Sequence, residues 1–272
     1  MAQNTELQER YSSLVLAKQR KTSVFINLFN RNYEGTPTAG AVKIPVRDTE
    51  VAVAAYDKKK GASLTTSVTS YKTLVIDNDN AVNELIDGYT AAAVPDGLVA
   101  ERLDSAGYSM AIKADTDLGD ALVTSGTAIT DTKALTKTTV YDAVIDARTQ
   151  ARKAHVAPTE MWLAVSADTY GLLLKCDQFV KASDLGDQVV QTGAIGKIGG
   201  VLVYEADNIT DDTVDFILGN RIFCHYVDDW AVPIEVKDLA DGAHIGASAI
   251  QGRDVYGYTI SRPETVFVRK HA

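Results

Sequence analysis

The residues of this chain best suited to chemistry are four histidines, two cysteines, the polar run Asp77-Asn-Asp-Asn80, the pair Asp228-Asp229 and a glycine-rich stretch at residues 191–204. A glycine loop holds phosphate when it opens a helix whose first amides face the anion. Here Gly193, Gly196, Gly199 and Gly200 are followed at once by Val201-Leu-Val-Tyr204, so the loop delivers a strand and reads as a tight hairpin reversal. Lys197 is followed by Ile198, where a phosphate loop needs Ser or Thr for magnesium. The run from Asp77 begins like a calcium loop, but Val82 and Gly88 stand where that loop needs glycine and glutamate. An Asx cap for a short helix over residues 81–92 explains it better. His155, His225, His244 and His271 lack metal-ligand spacing, and Cys176 and Cys224 lack nearby partners, which leaves the cysteines as reduced structural thiols. No nucleophile, base and orienting group are spaced as a catalytic set. The sequence therefore implies no enzyme, no cofactor and no metal site. A nucleotide-dependent α/β enzyme built on Asp228, Asp229, Tyr256, the histidines and the glycine hairpin is the remote alternative.

The 272 residues suffice for one large domain or two joined small ones. A formal charge of −9 argues against a broad nucleic-acid-binding surface, because phosphate affinity is carried by clustered Lys and Arg. No run approaches the roughly 20 apolar residues of a membrane helix. Glu6, Glu9 and Arg10 stand where a signal peptide would be greasy, so synthesis is expected in the cytoplasm.

The elements that must position these residues can be read in order. Residues 5–19 form an amphipathic helix with Leu7, Tyr11, Leu14 and Val15 on one stripe. Residues 21–40 show no period and read as an extended arm lying on another surface. β-type runs follow at 41–46, 50–56 and 62–76, with the tip Asp57-Lys-Lys-Lys-Gly61 making a hairpin that projects into solvent or toward a partner. Pro95-Asp96 opens a long helix to Val123, on the order of 40 Å, with apolar residues three and four apart from Leu98 to Leu122. Gly107 and Gly119 mark close packing or a bend, and Glu101, Asp104, Asp115, Asp117 and Asp120 read as its solvated face. After a polar boundary at 126–137 come a helix at 138–155, the buried strand Met161-Trp-Leu-Ala-Val165, a capped helix at 166–175 and a polar loop at 176–190. The glycine hairpin then leads to strands at 214–218, within 221–230, at 232–236 and at 265–269.

Three stretches in this order resemble the major capsid proteins of tailed bacteriophages, the Hong Kong 97-type fold. They are residues 162–179; Gly193-Ala-Ile-Gly-Lys-Ile-Gly-Gly-Val-Leu-Val-Tyr204 with Asn208 after it; and Tyr256-Gly-Tyr-Thr-Ile-Ser-Arg-Pro263 before the last strand. With the arm, hairpin and long helix upstream, the resemblance covers nearly the whole chain. It implies an α+β fold with an N-terminal arm (1–40), an extended β-hairpin loop (41–72), a peripheral domain with the long spine helix (73–135), an axial domain (136–255) and a return strand to the peripheral domain (256–272). It implies a head protein that self-assembles as hexamers and pentamers into an icosahedral shell around double-stranded DNA, without sequence-specific contacts and without a membrane.

In that family arms and extended loops clasp neighbours, which makes Leu7, Tyr11, Leu14, Lys58, Lys59, Lys60, Gly193 and Gly196 the expected contacts between subunits. Members that carry their own scaffold begin with a long cleavable segment, whereas this chain starts at Met1 shortly before its first helix. A separate scaffolding protein is therefore expected, beside portal and decoration proteins. Some relatives join a loop lysine to a neighbour's asparagine; neither the acceptor nor the assisting acid has a match here, and no crosslink is expected. The same fold also serves encapsulating compartments that store an enzyme, an alternative use that a cargo-enzyme gene beside this one would mark.

Overall fold

The computed structural model describes residues 20–32, 40–47, 50–61, 64, 66, 68–88, 97–176, 196–240 and 242–272. Its longest element is the spine helix α2 (Gly97–Ser125), 29 residues and so about 43 Å. Ala106, Ala114, Leu118 and Leu122 form its buried stripe, at the spacing that places side chains on one helix face. Gly119 marks close packing: a Cβ there would stand 2.9 Å from the Phe25 ring and 3.0 Å from the Asn208 carbonyl oxygen.

What comes so close is α1 (Phe25–Leu28), a single turn whose Phe25 and Leu28 are buried in one core with Val24, Phe29 and the spine. The expectation of an arm lying on another surface fails for this part, because its apolar side chains find their cover within the chain itself. Two backbone hydrogen bonds sew the following residues to the edge of β8 (Cys224–Asp238): Asn30 N donates to Cys224 O at 2.8 Å and Tyr226 N to Asn30 O at 3.1 Å. The helix expected at 5–19 lies outside the described residues.

β1 (Ala41–Arg47), β2 (Thr69–Ile86), β9 (Ser248–Ile260) and β8 form an antiparallel sheet in the order β1-β2-β9-β8. For residues 81–86 β2 overturns the helix expected over 81–92, since it runs through the Asx residues to Ile86 with exposure alternating residue by residue; residues 89–92 lie outside the described residues. The Asx side chains find partners across the ladder and are not left to cap a turn. Asp79 pairs with Arg253, Asn80 Nδ2 donates to the Tyr256 hydroxyl at 3.0 Å, and Asn83 Oδ1 accepts from Gln251 Nε2 at 3.2 Å. The strands expected within 221–230 and at 232–236 are one strand, β8, bent by register shifts at Asp228/Trp230 and Val232/Glu235. β9 is the element that sequence pattern misses, because glycines interrupt it. Close approach requires them: a Cβ at Gly252 would stand 2.4 Å from Ile234 Cγ1, and one at Gly257 2.4 Å from the Val75 carbonyl oxygen. Residues 50–56, expected as a strand, belong to none.

The second sheet has the order β3-β10-β7-β4-β6-β5, built from β3 (Thr127–Ala128), β10 (Phe267–Lys270), β7 (Val214–Asn220), β4 (Met161–Val165), β6 (Val201–Glu205) and β5 (Lys197–Ile198). β4 and β7 are buried at every position, and their side chains alternate between two cores. Met161, Leu163, Val165, Phe216 and Leu218 meet α3 (Val140–Lys153) and α4 (Ala167–Leu174) on one face. Trp162, Ala164, Ile217 and Val268 meet the spine, α1 and the first sheet on the other. The Ser166 side chain caps α4 by accepting the Thr169 amide, as its sequence implies. Gly199 and Gly200, at φ +54 and +86, make the tight turn that joins β5 to β6. The class is α+β, with one core shared by both sheets.

Candidate functional site

His225 comes nearest to a catalytic arrangement, with Nε2 3.0 Å from Ser261 Oγ. Both residues are buried, and the serine hydroxyl donates to the Phe223 carbonyl at 3.2 Å. A serine nucleophile must hand its proton to the imidazole, whereas here the hydroxyl has a backbone oxygen to donate to. Burial holds His225 below the ordinary histidine value, so the ring is neutral at pH 7. Other groups singled out by type are engaged in structure. Asp228 pairs with Arg31, whose guanidinium lies 5.3 Å over the Tyr226 ring, and the Tyr256 hydroxyl donates to Asp117 at 2.7 Å. Cys176 and Cys224 are buried and unbridged, and burial pushes the Cys224 thiol up to about 12, where it is unreactive. Among the described residues no group of three or more His, Cys, Asp or Glu could hold a metal ion.

Asp115 is the polar residue that sequence reasoning misplaces. It was expected on a solvated face, yet it is fully buried. Its carboxylate accepts from Ser23 Oγ at 2.9 Å, from the Val24 and Ile26 amides at 3.0 Å, and from Asn208 Nδ2 at 2.7 Å. These donors converge from the N-terminal segment and from the β6–β7 connection, so one side chain of the spine ties three parts of the chain together. Two of them are amides at the start of α1, which the carboxylate caps in place of a local side chain. Asn208 Nδ2 also donates to Thr22 O at 2.6 Å, and Asp120 accepts from Thr210 N and Oγ1 at 2.9 and 2.6 Å. A signal existed: Asp115 precedes Leu118 by three residues and Leu122 by seven, which puts it on the apolar stripe.

Among the described residues, the densest set of exposed apolar and unpaired charged side chains lies on the hairpin. The ladder of β1 and β2 stops at Arg47 opposite Thr69, and the tip closes separately as a bridge between Asp57 and Gly61. Asp57 Oδ1 accepts the Lys59 amide at 2.7 Å and the Lys60 amide at 3.3 Å, and Gly61 takes φ +76. Lys58, Lys59 and Lys60 are thereby presented to solvent and pair with no acid among the described residues. Along the limbs Val51 is 63% exposed, Val53 98%, Tyr56 71% and Leu64 102%. Gly196 is exposed just before β5, while Leu7, Tyr11, Leu14 and Gly193 lie outside the described residues.

A family model described as phage capsid protein matches residues 75–268. Among solved structures, one of Mycobacterium phage Che8 is 25% identical, with a TM-score of 0.84 over 98% of each chain. The capsid structure of the cyanophage P-SCSP1u is 13% identical, with a TM-score of 0.81 over 100% of this chain and 97% of that one. The mature capsid of bacteriophage PhiM1 is 16% identical, with a TM-score of 0.73 over 98% and 92%. The comparison with curated proteins finds no match.

Proposed function

Because the chain belongs to the phage capsid protein family, we propose that its projecting hairpin and N-terminal segment are the parts by which its copies grip one another. The chain is a major capsid protein, a non-enzymatic subunit of the virion that assembles with itself into a shell. The observation that supports the grip is the hairpin, where Val53 and Leu64 stand at 98% and 102% exposure. An isolated subunit gains nothing from large apolar side chains at the end of a hairpin; a subunit whose neighbours cover them does. In a closed shell many modest contacts of this kind add up.

In this reading the arm (1–40), apart from residues 24–29 that pack in the chain's own core, and the loop (41–72) reach neighbours, and the axial portion (136–255) gathers around hexamer and pentamer axes. Residues 73–135 and 256–272 make the periphery. Leu7, Tyr11, Leu14, Lys58, Lys59, Lys60, Gly193 and Gly196 serve as contacts. The shell encloses double-stranded DNA without reading its sequence, in keeping with a chain of net charge −9. Scaffolding, portal and decoration proteins are its further partners, and assembly takes place in the host cytoplasm. Deleting residues 57–61, whose backbone bonds stay within the tip, should leave a folded, soluble subunit that fails to build regular shells in negative-stain electron microscopy. Normal particles from that variant would refute the grip.

A further inference from the structure

Composition and pairing disagree in the hairpin. Residues 50–56 carry Val51, Val53 and Tyr56, and the return limb carries Leu64, Thr65, Thr66 and Val68, all types that favour strands. The ladder nevertheless stops at Arg47↔Thr69. Continued in the same register it would set Asp57 opposite Lys59, but the tip closes Asp57 on Gly61, two residues away. The limbs cannot zip from base to tip without a bulge, which is why residues 50–56 join no ladder in the isolated chain.

The long sheet edges are managed in the opposite way. Ile76 N donates to Gly40 O, so even-numbered residues of β1 bond to β2 and odd ones face the open edge. That puts Pro45, which has no N–H, on the open side, and the Arg47 carbonyl there already accepts from Arg262 Nη2 at 2.6 Å. The edge of β8 is covered by Asn30 at its start and bent by two register shifts further along. Against those blunted edges, residues 51–56 carry no charge and set strand-forming Val51, Val53 and Tyr56 among small alanines, with every residue exposed.

We propose that residues 50–56 complete a β-ladder with a second copy of this chain, so that the outgoing limb is a strand donated across the subunit interface. The proposal rests on the shell reading and adds the mode of grip: main-chain hydrogen bonds, with Val51 and Val53 on one face of the added strand and Ala52 and Ala54 on the other. The occupant is a second copy because the chain assembles with itself, and because the limb continues the hairpin that reaches outward. Water satisfies the backbone in the free subunit, and the neighbour's strand replaces it on assembly.

Amide hydrogen exchange on wild-type subunits and shells, with a proline scan over residues 51–55, tests this. In the free subunit the amides of 51–56 should exchange as in an unstructured chain, and in the shell alternate ones should slow by about 100-fold or more. Proline where the N–H faces the neighbour should lower shell yield by at least about tenfold; at intervening positions it should leave the yield nearly unchanged. Residues 50–56 are all exposed, Val53 at 98%, so the subunit's melting temperature should hardly move in any variant. Fast exchange within shells, or equal loss at all five positions, overturns the ladder while leaving the shell reading intact. Protection already present in free subunits means pairing within one chain and overturns it as well. If wild-type protein with a scaffold supplied builds no shell, the shell reading itself falls and takes the ladder with it.

Discussion

Asp115→Ala tests the tie between the spine and the N-terminal segment. The carboxylate is fully buried and accepts from four residues. Ser23 Oγ and the Ile26 amide are only partly buried and can turn to water, and Asn208 Nδ2 keeps the Thr22 carbonyl, so the Val24 amide is stranded and Asn208 loses one of its two bonds. A stranded donor in a dry site costs about 1–3 kcal/mol, so the two losses sum to about 2–6 kcal/mol. Removing a buried charge returns part of this as desolvation, and the net loss should be about 2 kcal/mol. Asp115→Asn keeps one acceptor oxygen and should lose about half as much. Denaturant unfolding of the unassembled subunit reads both, with Ser23→Ala as a control expected near 1 kcal/mol. The exchange of the Val24 and Ile26 amides should quicken in both variants at Asp115. A loss below about 1 kcal/mol for Asp115→Ala, or an Asn variant as damaged as the Ala one, would refute the reasoning.

Two further perturbations follow from the same geometry. Lys270, with the Thr213 hydroxyl and amide, holds the Asp211 carboxyl down to about 2. A carboxylate depressed on folding stabilises fully above its unfolded value near 3.9, and the contribution drains away as pH falls through about 2. The side chain is 35% exposed, so solvent screening limits it to under about 1 kcal/mol. Asp211→Asn should melt roughly 2 °C lower than wild type at pH 7 and level with it near pH 2; a constant gap would show that the charge is not the cause. At Gly252 an added methyl would stand 2.4 Å from Ile234 Cγ1, so Gly252→Ala should cost about 1–3 kcal/mol in denaturant, partly restored by Ile234→Ala, which removes that atom. An unchanged midpoint in the single variant would mean that β8 gives way freely.

Where the sequence is legible, short-range periodicity decides the outcome. The spine announces itself because its apolar residues repeat on one helix face over many turns, and β4 does because five consecutive apolar side chains leave no polar face to solvate. The glycine hairpin is legible because both glycines of its turn have positive φ. Residues 81–86 mislead because Asx types favour caps locally, and only the ladder with β9 offers their side chains other partners. β9 is hidden because its glycines answer to Ile234 and Val75, residues distant in the chain.

The candidate contact residues divide in the same way. The lysine tip follows from Asp57 and Gly61, four residues apart, and could be read without a fold. Residues 50–56 have strand composition but no strand, because register along the whole hairpin overrides the preference of any residue in it. Sequence by itself thus determined the elements whose side chains sort by period, among them the spine, and the exposed tip, while the α+β class came with the resemblance to tailed-phage capsid proteins. Tertiary structure alone decided what Asp115, already on the apolar stripe, bonds to in the core, that residues 24–29 belong to the chain's own core, and which strands pair. Burial of a charge and the register of a ladder depend on partners that only folding brings within hydrogen-bond distance.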